Sequence, residues 1–232
     1  MTITENWHKK SMNSLEDPRI ANTIKTLHHR AGQDRVVFAR ALPGVIGGVW
    51  RGKGFMEAVK PYLKNAYILI DKAQGRVLYQ TARTRGAQRI VEFGASFGIS
   101  AMYLAAAIRD NGGGKVLTTE MEPNKIASAR ANWAEAGFDR ESELREGDAL
   151  HTLRDIKEPI DLVFLDGWKE ANLLILRLRE PALTPGASIL CDDIKPFCKT
   201  LKTYLDHVRG TPRRFVSEEL PLGDGLEFSV FV

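Results

Sequence analysis

Residues 91–100 read Val-Glu-Phe-Gly-Ala-Ser-Phe-Gly-Ile-Ser, and no other stretch constrains the fold as tightly. Arg89–Phe93 reads as a buried strand that runs directly into a glycine turn. Glycines at 94 and 98 allow a sharp bend and a close backbone approach to a ligand. A helix is expected from about Phe97 to Asp110, with Gly98, Ile99 and Ser100 in its first turn. Its free N–H groups would point back at that ligand. A strand, a glycine cradle and a helix in this order place a binding site at the carboxyl edge of an open α/β sheet.

The rest of the chain repeats the alternation. Further strands are expected at Lys115–Glu120, Ser142–Glu146, Ile160–Leu165 and Ser188–Cys191. Helices are expected from Glu122-Pro123 to Ala136, then over Ala149–Asp155, Glu170–Leu183 and Pro196–Arg209. Arg213–Glu219 and Gly225–Val232 read as a closing antiparallel pair. The expected fold is α/β: a Rossmann-like, doubly wound, mostly parallel sheet with an antiparallel C-terminal hairpin and a helical N-terminal extension. The extension covers residues 1–65 and the main domain residues 66–232. Within the extension a helix is expected over Pro18–His29. The glycines at 44, 47, 48, 52 and 54 mark residues 36–54 as irregular, either a linker or a lid over the site. A helical pattern then runs from Phe55 to Thr84, interrupted at Pro61.

Composition narrows the class. Two cysteines, Cys191 and Cys198, suggest no disulfide framework. No apolar run resembles a signal peptide or reaches the length of a membrane span. A cytoplasmic chain without membrane contact is expected. The net charge of +4 suits an acidic substrate or RNA as well as an ordinary solvated surface.

Acidic residues fall at the ends of the expected strands: Glu120, Asp148, Asp166 and the pair Asp192-Asp193. The glycine turn lacks the middle glycine of a dinucleotide fingerprint, and Glu92 adds negative charge where a pyrophosphate would lie. This disfavours a nucleotide-dependent oxidoreductase. It suits a cationic ligand such as S-adenosylmethionine, with a carboxylate at Glu92 for its ammonium and Glu120 for its ribose hydroxyls.

The stretch from Val91 to Ser100 resembles the first cofactor motif of class I S-adenosylmethionine-dependent methyltransferases. Asp161-Leu-Val-Phe-Leu-Asp-Gly-Trp-Lys169 and Ile189-Leu-Cys-Asp-Asp193 are similar to segments of catechol O-methyltransferase and its cation-dependent relatives. The resemblance covers roughly residues 66–232 and implies a methyltransferase domain there. It implies cofactor contacts from Glu92, Gly94, Ala95, Ser96, Ser100, Glu120, Met121, Asp148, Asp166 and Trp168. Asp166, Asp192 and Asp193 would hold Mg²⁺ or another divalent cation, although relatives usually carry Asn at the last position. Lys169 would be the general base, and Trp168, Lys169 and Glu218 would meet the acceptor. The implied activity is O-methylation of a small, catechol-like hydroxylated acceptor. Alternatives are O-methylation of a hydroxylated uridine in tRNA, using the basic N-terminal third, and a non-catalytic binding module. The extension could also mediate a homodimer.

Overall fold

The computed structural model describes residues 13–31, 50–51, 69–212 and 214–232. Helix α1 covers residues 18–31. There follow α2 (Lys72–Arg85), β1 (Arg89–Phe93), α3 (Ile99–Asp110), β2 (Lys115–Glu120), α4 (Pro123–Ala136) and β3 (Ser142–Glu146). The chain continues with α5 (Ala149–Thr152), β4 (Ile160–Leu165), α6 (Asn172–Arg179), β5 (Leu183–Cys191), α7 (Lys202–Arg209), β6 (Phe215–Leu220) and β7 (Leu226–Phe231). One seven-stranded sheet has the order β3-β2-β1-β4-β5-β7-β6. β1 to β5 pair in parallel, and β7 runs antiparallel to both β5 and β6.

The order reverses between β1 and β4, which opens a crevice at their carboxyl ends. Alternation along each strand builds a core on both faces. Ile90, Leu162, Phe164 and Leu190 point to the side covered by α1–α4. Val91, Val163, Leu165 and Ile189 point to the side covered by α5–α7. α3 is buried nearly all round, and its alanines let it lie close on the sheet. Ile20 and Leu27 of α1 are fully buried in the same core as Leu78 and Met102. Arg19 donates to the carbonyls of Ala134 and Glu135, the last turn of α4. The extension and main domain thus share one core through α1. The expected boundary at 65/66, the lid or linker at 36–54 (apart from Trp50 and Arg51) and the pattern at 55–68 lie outside the described residues.

Several expected helices are shorter than the apolar pattern suggests. α3 starts at Ile99 rather than Phe97, because Gly98 is left-handed (φ 83°) and stands outside the helix. α5 stops at Thr152. The stretch 170–183 divides into a 3₁₀ turn at Lys169–Ala171, α6, and a second 3₁₀ turn at Glu180–Ala182, where Pro181 has no N–H to continue the ladder. α7 begins at Lys202, not Pro196, after a series of turns over residues 194–201. β5 begins earlier than Ser188, at Leu183, across a register shift opposite β4.

Candidate functional site

The loop after β1 forms the floor of the crevice. Gly94 (φ 103°), Ser96 (φ 46°) and Gly98 (φ 83°) turn the chain three times within five residues. The Ala95 N–H donates to the Thr119 carbonyl at 2.9 Å, which ties the loop to β2. The Ser96 N–H donates to Glu120 Oε2 at 2.9 Å. Glu120 Oε1 accepts from the N–H groups of Met121 and Glu122 at 2.8 and 3.0 Å. Its carboxylate is thereby held at the mouth of the loop with lone-pair capacity to spare. From behind, Asn132 donates to the Phe97 carbonyl and the Trp133 indole to the Gly98 carbonyl, each at 2.9 Å. Sequence reasoning missed these two supports, since an Asn-Trp pair inside a helix carries no local signal of what it touches.

Glu92 and Ser100, which flank the loop, are both buried. Glu92 is 0% exposed. Its Oε2 accepts from the Thr118 hydroxyl. Burial raises the Glu92 carboxyl from 4.5 to about 7, against the hydrogen bonds of Ser100 and Thr118. The native state therefore keeps a proton that the unfolded chain gives up above 4.5. Glu92 favours folding fully below that value, and the contribution is lost as pH rises through about 7. A rise of this size is worth about 3 kcal/mol. Glu92→Gln should match the wild type in thermal melts near about pH 5 and exceed it by about 5 °C near about pH 8. Parallel melting curves for the two proteins would refute a buried, protonatable Glu92.

Beside the cradle lies a cluster of carboxylates. Asp166 follows β4 directly, and its N–H donates to the Phe93 carbonyl at 2.9 Å, extending the β1–β4 ladder by one bond. Asp192 and Asp193 follow β5. One carboxylate oxygen from each of the three lies within 4.8 Å of the others. Lys169 Nζ sits between them, 3.0 Å from Asp166 Oδ1 and 3.0 Å from Asp193 Oδ2, and only 8% of its side chain is exposed. Burial alone would lower the Lys169 ammonium; Asp166 and Asp193 outweigh it and the net shift is upward. Burial, with the charges of Asp166 and Asp193, pushes the Asp192 carboxyl up to about 8. Burial also raises Asp166, in spite of Lys169. One ammonium thus balances three crowded carboxyls incompletely. An all-oxygen donor set short of positive charge fits a hard divalent cation.

The other expected residues are dispersed. Asp148 caps α5 by accepting from the Leu150 N–H at 2.9 Å and lies 3.2 Å from His151. Trp168 is 39% exposed and so is not part of the core. Met121 is exposed beside Glu120. Glu218 is exposed on β6, two strands from β5, on the sheet face opposite Glu219. Its neighbour Glu219 is the one tied to the site's rim, 3.6 Å from Lys195.

Residues 91–194 match the family model described as a methyltransferase domain. The chain is 33% identical over 128 residues to catechol O-methyltransferase of Mycobacterium tuberculosis, covering 55% of this chain and 57% of that one. It is 30% identical over 177 residues to catechol O-methyltransferase B of Danio rerio, covering 70% of this chain and 65% of that one. Over this region the chain is similar to catechol O-methyltransferase-like members of the class I S-adenosylmethionine-dependent methyltransferases. A Bacillus cereus O-methyltransferase solved with SAH shares its fold, with a TM-score of 0.67 at 21% identity over 89% of this chain and 100% of that one. The chain spans less than two thirds of the length of the two curated family relatives named above. The family match includes the cradle, Glu120 and the Asp166–Lys169–Asp192–Asp193 cluster; α2 and the β6–β7 hairpin lie outside it. Among the described residues, no helix is long and apolar enough to cross a membrane.

Proposed function

We propose that this protein transfers the methyl group of S-adenosylmethionine to a hydroxyl of a small, catechol-like acceptor with the help of a divalent cation. The observation that carries the reading is the Asp166–Lys169–Asp192–Asp193 cluster, set at strand ends directly beside the glycine cradle. Asp166, Asp192 and Asp193 would hold the cation. When bound, it supplies charge that polarises an acceptor oxygen and lowers the pKa of its hydroxyl. The loop of Gly94, Ala95 and Ser96 with Glu120 would hold the methyl donor, and Glu92 and Ser100 would brace that loop. When bound, the donor supplies an electrophilic methyl on a sulfonium.

The chain's own residues handle position and protons. β1 and β4 are neighbours in the sheet, so an acceptor oxygen held at the acids would lie beside the donor in the cradle. Trp168, exposed next to Lys169, would shield the acceptor from water. Lys169 would receive the acceptor's proton at Nζ. Clamped by Asp166 and Asp193 it is held protonated and cannot accept a proton. It becomes able to accept a proton once the negative charge of those carboxylates is matched from elsewhere.

The test is a labelled-methyl assay with catechol, supplemented in turn with Mg²⁺ and with chelator. Transfer is expected with Mg²⁺ and should drop to background with chelator, while S-adenosylhomocysteine still binds in calorimetry. Undiminished transfer after exhaustive chelation would remove the cation from the reading. Binding of NADH in place of S-adenosylmethionine would overturn it entirely.

A further inference from the structure

Asp192 is held by a side chain from outside the matched region. Gln74, in the first turn of α2, donates from Nε2 to Asp192 Oδ1 at 2.5 Å across 118 residues of sequence. The Asp193 N–H donates to the same oxygen at 2.8 Å. Both donors converge on Oδ1 and leave Oδ2 uncommitted to either.

The Gln74 amide has little freedom. Its Oε1 accepts from the Asp71 N–H at 2.8 Å, and Asp71 Oδ1 accepts from the Gln74 N–H at 2.7 Å. This reciprocal pair is the capping box of α2. Because Oε1 is committed to an N–H, the amide must turn its NH₂ toward Asp192. The turn between β6 and β7 closes the other side. A Cβ on Gly223 would lie 2.7 Å from Gln74 Nε2 and 3.0 Å from Oε1. Gly225, two residues on, accepts from the Ile194 N–H at 3.1 Å, so the same turn also grips the segment following Asp193. Three separate segments therefore meet at one amide, and the amide meets a carboxylate of the acid cluster.

We propose that Gln74 is a positioning residue for Asp192. It fixes the carboxylate's rotation by occupying Oδ1 and reserves Oδ2 for a hard cation, so that Asp192 serves as a one-oxygen ligand. The inference rests on the cation site proposed above. Outer partners of this kind orient a ligand without touching the cation. The bond also joins the start of α2 to the end of β5. The seating of α2 is tight: Gly75 lies against the Tyr103 ring, where a Cβ would come within 2.3 Å.

Mn²⁺ binding to the full chain, followed by electron paramagnetic resonance, tests this. Gln74→Met preserves bulk and removes both amide contacts. It should weaken Mn²⁺ binding by about 10–100-fold and leave S-adenosylhomocysteine affinity unchanged. Gln74→Asn, one methylene shorter, should show the same loss and carries the test if the methionine variant does not fold. Asp71→Ala removes the helix cap but not the Gln74–Asp192 bond. It should lower the melting temperature with Mn²⁺ affinity unchanged. Wild-type Mn²⁺ affinity in the folded Gln74 variants would overturn the inference and leave the cation site standing. Equal weakening by Asp71→Ala would assign the effect to the helix start and also overturn it. A wild-type chain that binds no Mn²⁺ would refute the cation reading itself.

Discussion

Lys169→Met should lower kcat for methyl transfer by about 10²–10⁴-fold, the range for removing a positioned general base. Affinity for S-adenosylhomocysteine should change far less. The expectation follows from where the ammonium sits: nearly buried, 3.0 Å from each of two carboxylates, and next to the crevice that the acceptor would enter. Lys169→Arg separates the two roles this position combines. A guanidinium keeps the positive charge between Asp166 and Asp193, but it does not release its proton in the working pH range. If Lys169 acts as a base, the arginine variant is as slow as the methionine variant. If its role is only to balance charge, the arginine variant keeps most of the rate, and the proposed proton transfer is wrong. Single-turnover transfer and calorimetry on the three proteins decide between them.

Gly94→Ala should be the most damaging single methyl group added to the cradle. Gly94 has φ 103°, and a Cβ there would lie 2.7 Å from the Asp166 carbonyl oxygen and 2.8 Å from the Gly167 nitrogen. Both are backbone atoms that cannot swing aside. The left-handed conformation alone costs an alanine about 1–2 kcal/mol. Relief of the clash must move the loop away from β4, and with it the Ser96 N–H that meets Glu120. Destabilisation of about 3 kcal/mol and at least about tenfold weaker S-adenosylhomocysteine binding are expected. Gly112→Ala is the control. Gly112 also has positive φ (96°), yet a Cβ there meets nothing within 4 Å. It should show backbone strain without loss of ligand affinity. Wild-type affinity in Gly94→Ala would move the donor site elsewhere.

The strands were legible because a strand buried on both faces must be largely apolar, as Ile160–Leu165 is apart from Asp161, and because glycine and proline punctuate the turns around it. β1 to β4 have the bounds expected from sequence. Helix ends were less legible. An apolar pattern continues past the point where hydrogen bonding stops, as at Pro181 and across residues 194–201. The acids at 166, 192 and 193 were legible as candidates because a parallel sheet gathers its carboxyl ends on one edge. Their approach to within 4.8 Å, with Lys169 between two of them, comes from the β1–β4–β5 pairing.

Glu92 shows the division most clearly. Its position before the glycines marked it as part of the cradle, with a carboxylate expected to face a ligand ammonium. Strand alternation buries it between β1 and the helices of that face, and burial raises its carboxyl. Gln74 is the converse case: its place three residues after Asp71 marks a helix cap, but nothing local points it at Asp192. By itself the sequence determined the order of strands and helices, the glycine cradle and the chemical types available at the sheet edge. These depend on periodicity and on residue chemistry, which are local. Only the tertiary structure decided which carboxylates meet, which lysine balances them, and that an amide 118 residues away holds Asp192, because such contacts are set by how distant segments pack and not by their spacing along the chain.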